Sequence, residues 1–531
     1  PYHILKVEPS SRTAGSVIET SSQGSGPAVS TGFSAQRVQA NPSRLVAQPT
    51  FTDEPFTLGV ASGDPEPDGV VLWTRLAPRP LEPFGGMPPE AVQVRWEVAT
   101  DEAFTDIVRK GSTPAVPQLG HSVHVEVNGL QPHRWYFFRF HAGNETSATG
   151  RTRTAPAVAA LPERLRFAFT SCQHYEVGYF NGYPHMQQED LDLVVHLGDY
   201  IYEYAGAENR VRKHLGGEIN SLNDYRLRYC QYRLDEDLQE THRLFPWLVT
   251  WDDHEFDNNY ANLVSEEDGV SPEAFLARRM NAYQAYYEFM PLRRRSFPQG
   301  PNMTLYRSCR FGRLAEFSLL DTRQYRTDQP NGDHQKPLEG KVFDPRATIL
   351  GDRQEHWLMA TLLQSPATWN VLAQQVMVAP LNRGTPAEGR YSMDQWPGYD
   401  VSRRRLLRFL HERRVPNPVV LTGDIHLNWV NDLQLDFEDA NSPLVGTELV
   451  GTSMNNGGNG GNHIEEYERA ARQNDFVKWY NSNRGYVSCE LTPTSWTSHF
   501  RATPFVDRRG SPLETKATFV IEQGRPGAER A

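Results

Sequence analysis

Five apolar runs in this chain each end in residues that could bind a metal or move a proton. Cys172 follows "FAFTS", and Asp199 follows "LVVHLG" with Tyr202 three positions on. Asp253 and His254 follow "LVTW" inside the charged stretch "WDDHEFDNNY" (251–260). Asp321 and Arg323 follow "FSLL", and Asp424 and His426 follow "VVLTG". Each has a bland reading alone. Cys172 reads as a small buried hydrophobe, Asp199 as a helix N-cap, Tyr202 as a half-buried aromatic and His426 as a satisfied core histidine. Together they are harder to explain as turns, because open α/β sheets bind ligands at the carboxyl ends of their strands. Asp424 and His426 sit two apart, so on an extended segment both point the same way. A thiol, a phenol, an imidazole and several carboxylates can hold two metals about 3.5–4 Å apart, the spacing that clamps an in-line displacement at phosphorus. Thiolate and phenolate beside histidine favour a high-valent iron, and a carboxylate-rich second position favours a hard cation such as calcium.

The elements that must position these residues are legible as alternating strands and helices from residue 164 onward. "RLRFAFTSC", "LDLVVHLGDY", "GRLAEFSLLDTR", "TWNVLAQQVMVA" and "NPVVLTGD" read as strands. The continuous apolar runs among them suit strands covered on both faces. "SLNDYRLRYCQYRLDEDLQETH", "SPEAFLARRMNAYQAYYEFMP", "LGDRQEHWLMATLLQ" and "SRRRLLRFLHERR" read as helices, the second with Ser271 as N-cap and Pro272 at the first position. The expected class is therefore a layered α/β domain over 164–525. Before it, residues 51–155 carry short strand patterns split by Gly, Pro and Asp, as in an immunoglobulin- or fibronectin-like β-sandwich. Residues 1–50 are rich in Ser, Gly, Pro and Thr and read as an irregular arm. "MNNGGNGGNH" (454–463) reads as a flexible loop.

Composition argues against several classes. The 531 residues carry a net charge of −11, which speaks against a nucleic-acid backbone binder. None of the four cysteines forms a CxxC pair, so a zinc ribbon or thioredoxin motif is not indicated. Cys309 and Cys489 are candidates for a bridge if the protein is exported, and free thiols otherwise. No run approaches the ~18 apolar residues of a membrane span. The opening "PYHILKVEPSS" has neither an initiator Met nor a signal h-region, as expected of a mature or a trimmed chain.

"GDYIY", "WDDHE", "DTRQYR" and "GDIH", preceded by "TSC", resemble the PhoD family of alkaline phosphatases, metallophosphoesterases related to purple acid phosphatases. "FTLGVASGDPEPDGVVLWTRL" is similar to the start of that family's N-terminal β domain, and the resemblance runs over roughly 51–525. It implies a four-layer α/β/β/α metallophosphoesterase core after the β-sandwich, with ferric iron (Fe3+) and calcium (Ca2+) as cofactors. Carried over, Asp199 bridges the metals, and Cys172, Tyr202 and His426 bind iron. Asp253 and Asp424 bind calcium, with Asn258 a further ligand candidate and Asn259 its rival. His254 matches the histidine beside the leaving group, and Arg323 is the candidate for holding the phosphoryl oxygens. Gln374 and Gln375 stand where two-metal relatives often have a histidine, in keeping with a harder second metal.

The implied reaction is hydrolysis of phosphate monoesters, diesters or both by a metal-bound hydroxide, releasing inorganic phosphate from monoesters. His254 would assist the leaving oxygen. One rival is an iron-dependent phospholipase D-type diesterase acting on lipid headgroups, with "YEVGYFNGYPH" (175–185) as a lipid-accepting rim; ordinary packing of those rings is the other reading. A second rival is a non-catalytic binding protein with a structural metal site. The expected enzyme acts as a monomer and needs no nucleic acid. It works in a secreted or periplasmic setting, inferred from the resemblance and the scarcity of free calcium in cytosol.

Overall fold

The computed structural model describes residues 45–461 and 464–531. Strands Leu165–Thr170, Leu193–His196 and Pro246–Val249 run parallel at the centre of a ten-stranded sheet. Strands Ala315–Leu319, Trp369–Ala373, Pro418–Thr422 and Leu444–Val450 run parallel within a seven-stranded sheet. Registers such as Thr170↔His196, His196↔Val249 and Leu319↔Ala373 keep the carboxyl ends level.

Successive residues of these strands alternate between two cores, as the pleat requires. Phe167, Phe169, Val195 and Leu248 of the first sheet share one cluster with Phe317, Val371, Val419 and Leu449 of the second. Ala168, Val194, Trp247 and Val249 point instead to Tyr225, Leu238, Tyr283 and Tyr286 of the helices Leu222–Arg233, Glu236–Leu244 and Pro272–Phe289. Leu372, Val420 and Val450 point to Leu358, Leu406 and Leu410 of the helices Gly351–Gln364 and Asp400–Glu412. Both faces of these strands are buried, which is why they read as unbroken apolar runs. Truncating a ring such as Phe167 to alanine here would cost about 3–5 kcal/mol.

The text 221–242, expected as one helix, forms two. Ser221 and Asp224 make a capping box at the start of the first. Asp235 then accepts from the amides of Asp237 and Leu238 at 3.2 Å and starts a second. A strong N-cap breaks the apolar period that the sequence alone suggests is continuous. The helix after Ser271 forms as expected, with Ser271 accepting from the Ala274 amide at 3.2 Å.

The strands of 51–155 divide between two sheets. Val60–Glu66, Gly69–Arg75 and Ser122–Asn128 extend the ten-stranded sheet, joined to it where Ser62 pairs with Pro246. Ala91–Ala99, Ile107–Ala115, Trp135–Ala142 and Gly150–Arg153 belong to a separate six-stranded sheet. The two pack over Val70, Leu72, Val94, Val98, Phe138 and Phe140. Residues 45–461 and 464–531 fall in one compact unit, and the change of sequence character near 155 is crossed by a shared sheet. Of the expected arm, residues 1–44 lie outside the described residues, and Leu45–Val46 pairs in parallel with Ala91 and Val92.

Cys309 and Cys489 are not bridged. Both are free thiols. Cys309 lies opposite Phe317 in the seven-stranded sheet and its Sγ sits 3.3 Å from the Pro65 carbonyl. Cys489 lies opposite Phe167 in the ten-stranded sheet, so the two occupy different layers. Among the described residues, no helix is long and apolar enough to cross a membrane.

Candidate metal centre

The level carboxyl ends bring the expected residues together. Potential ligand atoms of Cys172, Asp199 and His426 lie within 4.8 Å of one another, as do those of Asp199, Asp253 and His254, and those of Asp252, Asp253 and Asp424. Asp199 and Asp253 each belong to two of these groups, so the groups form one continuous cluster. The turns that carry it are tight. Cys172, Asp199, Asp424 and His426 have φ of 57°, 56°, 61° and 59°. Left-handed backbone at a residue with a side chain costs on the order of 1–2 kcal/mol, and such strain concentrates at functional sites. The glycine of each Gly-Asp pair makes the approach possible. A Cβ on Gly198 would meet the Asp252 amide nitrogen at 2.4 Å, and one on Gly423 would meet Ser171 Oγ at 2.7 Å.

On one side of the cluster, the Tyr202 hydroxyl donates to Asp199 Oδ2 at 2.8 Å and lies 3.4 Å from His426 Nε2. Asn456 Nδ2 donates to the Tyr202 oxygen at 2.8 Å and lies 3.2 Å from His426 Nε2. Arg484 holds the His426 carbonyl. Burial, then the charge of Asp199, pushes the Cys172 thiol and the Tyr202 phenol well up. Both therefore keep their protons until a cation takes their place.

On the other side, Arg323 is 0% exposed at its side chain. Its Nε donates to Asp252, its Nη1 to Asp394 at 2.8 Å and its Nη2 to Asp424 at 3.1 Å. Asp253 Oδ1 is 3.6 Å from Nη2. Arg326 adds a second guanidinium to Asp394 at 2.7 Å. Arg323, which the resemblance makes the candidate for holding the phosphoryl oxygens, has all three of its nitrogens facing carboxylates. The fixed fork of a guanidinium suits it to spacing carboxylates.

His254 donates from Nδ1 to Glu203 Oε2 at 2.8 Å, and its ring lies 4.2 Å from that of Tyr202. Burial opposes its charge, but Glu203, Asp253 and Asp199 outweigh burial and raise its pKa well above the ordinary value. The carboxylates around the ring therefore favour its charged, imidazolium form.

The two asparagine candidates separate only partly. Asn258 accepts from the Tyr204 hydroxyl at 3.3 Å and donates to Glu266. Asn259 donates its amide to Asp253 Oδ2 at 2.8 Å and its side chain to Asp333 at 2.6 Å. Gln374 and Gln375 turn away into strand-to-strand bonds. Gln375 accepts from Thr322 and donates to Thr250 and Leu320, and Gln374 joins Thr422 to Trp396. Asp321 accepts from the amides of Arg323 and Gln324 and so shapes its turn.

Several contributors carried no assignment in the sequence. Glu255 accepts from the amides of Asp199 at 3.0 Å and Asp252 at 2.8 Å, and also from Tyr200, tying two strand ends together. Glu203 directly follows "GDYIY", and Asp252 and Glu255 stand inside "WDDHE", which is the signal that could have found them. Asp394 and Asn456 stand in no motif, and Asn456 belongs to the stretch read as a flexible loop. In that loop Asn455 donates to the carbonyls of His174 and Gly178, which fixes the backbone beside it.

The family model of the PhoD-like phosphatase matches residues 167–500, and that of the PhoD-like phosphatase N-terminal domain matches residues 39–156. The chain belongs to the PhoD-like phosphatase family. It is 51% identical over 489 residues to alkaline phosphatase D of Bacillus subtilis (strain 168), covering 91% of this chain and 84% of that protein. It also matches a solved structure described as that of PhoD, with a TM-score of 0.89 and 51% identity, over 91% of this chain and 93% of that one. The chain is thus an enzyme that hydrolyses phosphate esters, on a mixed α/β fold.

Phosphatases of this family depend on metal ions, and the donor set of this PhoD-like phosphatase fits cations. Asp199 Oδ1, Asp252 Oδ2 and Asp253 Oδ1 are buried without a hydrogen-bond partner. Unpaired buried oxygens are costly, and a bound cation satisfies them.

Proposed function

We propose that this PhoD-like phosphatase hydrolyses phosphate monoesters and diesters at a two-cation centre, in the four-layer α/β/β/α core expected of metallophosphoesterases, preceded by a β-sandwich over 51–155. Cys172, Tyr202 and His426 would hold ferric iron, Asp199 would be shared, and Asp253, Asp424 and Asn258 would hold calcium. When bound, the cations polarise the phosphoryl oxygens and acidify the attacking water. The observation that carries the reading is the overlap of ligand groups at Asp199 and Asp253, with a buried oxygen on each that has no hydrogen-bond partner.

The protein's own residues do the rest. Glu203 orients the His254 ring and keeps its proton, and His254 delivers that proton to the leaving oxygen. Arg323 spaces Asp252, Asp394 and Asp424 and so acts as a positioning residue. Glu255 holds the Asp199 and Asp252 turns in mutual register.

Calcium as a cofactor supports a secreted or periplasmic setting, and we propose a monomer. The lipid-headgroup reading draws no support from 175–185. Phe180 and Tyr183 are in the core, and Arg212 stacks on Tyr175, Tyr179 and Phe180.

Metal analysis of the purified protein, with p-nitrophenyl phosphate, its bis-ester and phosphatidylcholine assayed side by side, tests the proposal. One iron with calcium and cleavage of the first two esters is expected. Zinc alone or a metal-free active enzyme would overturn the cation assignment, and faster turnover of phosphatidylcholine would favour the lipid reading.

A further inference from the structure

We infer that Tyr204 is a specificity-determining residue that presents a flat aromatic surface to the alcohol portion of the ester, favouring esters of aromatic or heteroaromatic alcohols. The inference rests on the reading of His254 as the group facing the leaving oxygen.

His254 itself is 8% exposed, whereas Tyr204 beside it is 41% exposed. Their ring centroids are 5.3 Å apart at an interplanar angle of 67°, an edge-to-face contact. Tyr204 is also within aromatic range of Tyr202 at 6.5 Å and His174 at 6.4 Å. The ring is thus backed by the buried aromatic group of the centre and still open to solvent.

Its position is fixed from several directions. The neighbouring residue, Glu203, is bonded to His254. The Tyr204 carbonyl lies 3.1 Å from His214 Nδ1, and His214 is itself buried against Tyr232. The hydroxyl donates to Asn258 Oδ1 at 3.3 Å. A ring held this way loses little further freedom when a ligand stacks on it, which is what makes an exposed tyrosine effective in recognition.

A leaving alcohol departs on the side of His254, so its bulk must pass the group standing next to that histidine. A planar ring there gains an offset-stacked or edge-to-face contact with an aromatic alcohol. A small aliphatic alcohol gains much less, because it lacks both the area and the quadrupole. The discrimination acts on the alcohol and leaves the phosphoryl chemistry to the residues already described.

The test uses the metal-loaded full chain with phenyl phosphate and glycerol phosphate, and reads the ratio of their kcat/KM values. Tyr204→Ala is expected to lower the phenyl-to-glycerol ratio by about threefold to tenfold, mainly through KM for the phenyl ester. Tyr204→Phe, which keeps the ring and loses the bond to Asn258, is expected to keep the ratio. An unchanged ratio in Tyr204→Ala overturns the inference, as does a Tyr204→Phe ratio as low as that of Tyr204→Ala. Wild-type enzyme active on both esters, but indifferent to His254→Ala, overturns the reading on which the inference rests.

Discussion

The two sides of the centre solve the same electrostatic problem differently. On the Asp252 side, four aspartates (252, 253, 394 and 424) face the buried guanidinium of Arg323, and Arg326 shares Asp394. Much of the negative charge there is already balanced by protein. On the Cys172 side, the thiol, the phenol and Asp199 make no hydrogen bond to a guanidinium; neutral His426 and Asn456 flank them, with the His254 ring 4.2 Å from that of Tyr202. Burial lowers His426 to about 3, so it contributes a lone pair and no charge. Deprotonating that side demands a strongly charged cation, whereas the other can be completed by a weaker one. The asymmetry accounts physically for proposing a trivalent ion on one side and calcium on the other.

The largest effect should come from Asp199, the residue we propose the two cations share. Asp199→Asn is expected to lower phosphatase activity on the order of 1000-fold and to release metal from both positions. Loss of one metal alone, read by elemental analysis, would show that the sides are independent. Next is Arg323→Met, which leaves buried carboxylates unpaired and should destabilise the metal-free protein by about 3–5 kcal/mol in urea unfolding. Added calcium should recover part of that loss, and no recovery would break the link between the Asp252 side and a cation.

A control lies far from both sides in sequence. Burial lowers His121 from 6.5 to about 4, with the Glu90 carbonyl 2.9 Å from its Nε2. Its folded pKa is depressed below the unfolded value, so the unfolded chain takes up the extra proton. Stability is therefore lost as pH falls from about 6.5 towards about 4, by roughly 3 kcal/mol at most. His121→Gln should flatten that slope equally with and without metal, and a metal-dependent change would tie His121 to the centre. The smallest effect is that of Asn456→Ala, which removes the donor to Tyr202. It should weaken metal binding on the Cys172 side by about tenfold and leave calcium binding on the other unchanged.

How much of this was legible depended on whether a role needed one strand end or several. The strand ends themselves were, because both faces of each strand are buried and the apolar runs stop where the ligand types begin. Thus Cys172, Asp199, Tyr202, Asp253, His254, Asp424 and His426 could be named together. The break at Asp235 was less visible, since a cap inside a polar stretch resembles ordinary helix surface. Arg323 was legible as a strand-end residue, a candidate for holding the phosphoryl oxygens. That its three nitrogens turn inward to Asp252, Asp394 and Asp424 depends on the stacking of two sheets, which no local pattern encodes.

The amino-acid sequence by itself determined which residue types stand at each strand end and which positions need glycine. Those are properties of short segments: apolar period, Gly-Asp turns and donor chemistry. Only the tertiary structure decided how the ends are combined. Level registers in two sheets bring Asp199 beside both Cys172 and Asp253, the Gly198–Asp252 contact sets their spacing, and Asn456 arrives from a loop with no motif of its own. A ligand group drawn from strands hundreds of residues apart is fixed by packing, because distances across a core follow from the volumes that fill it.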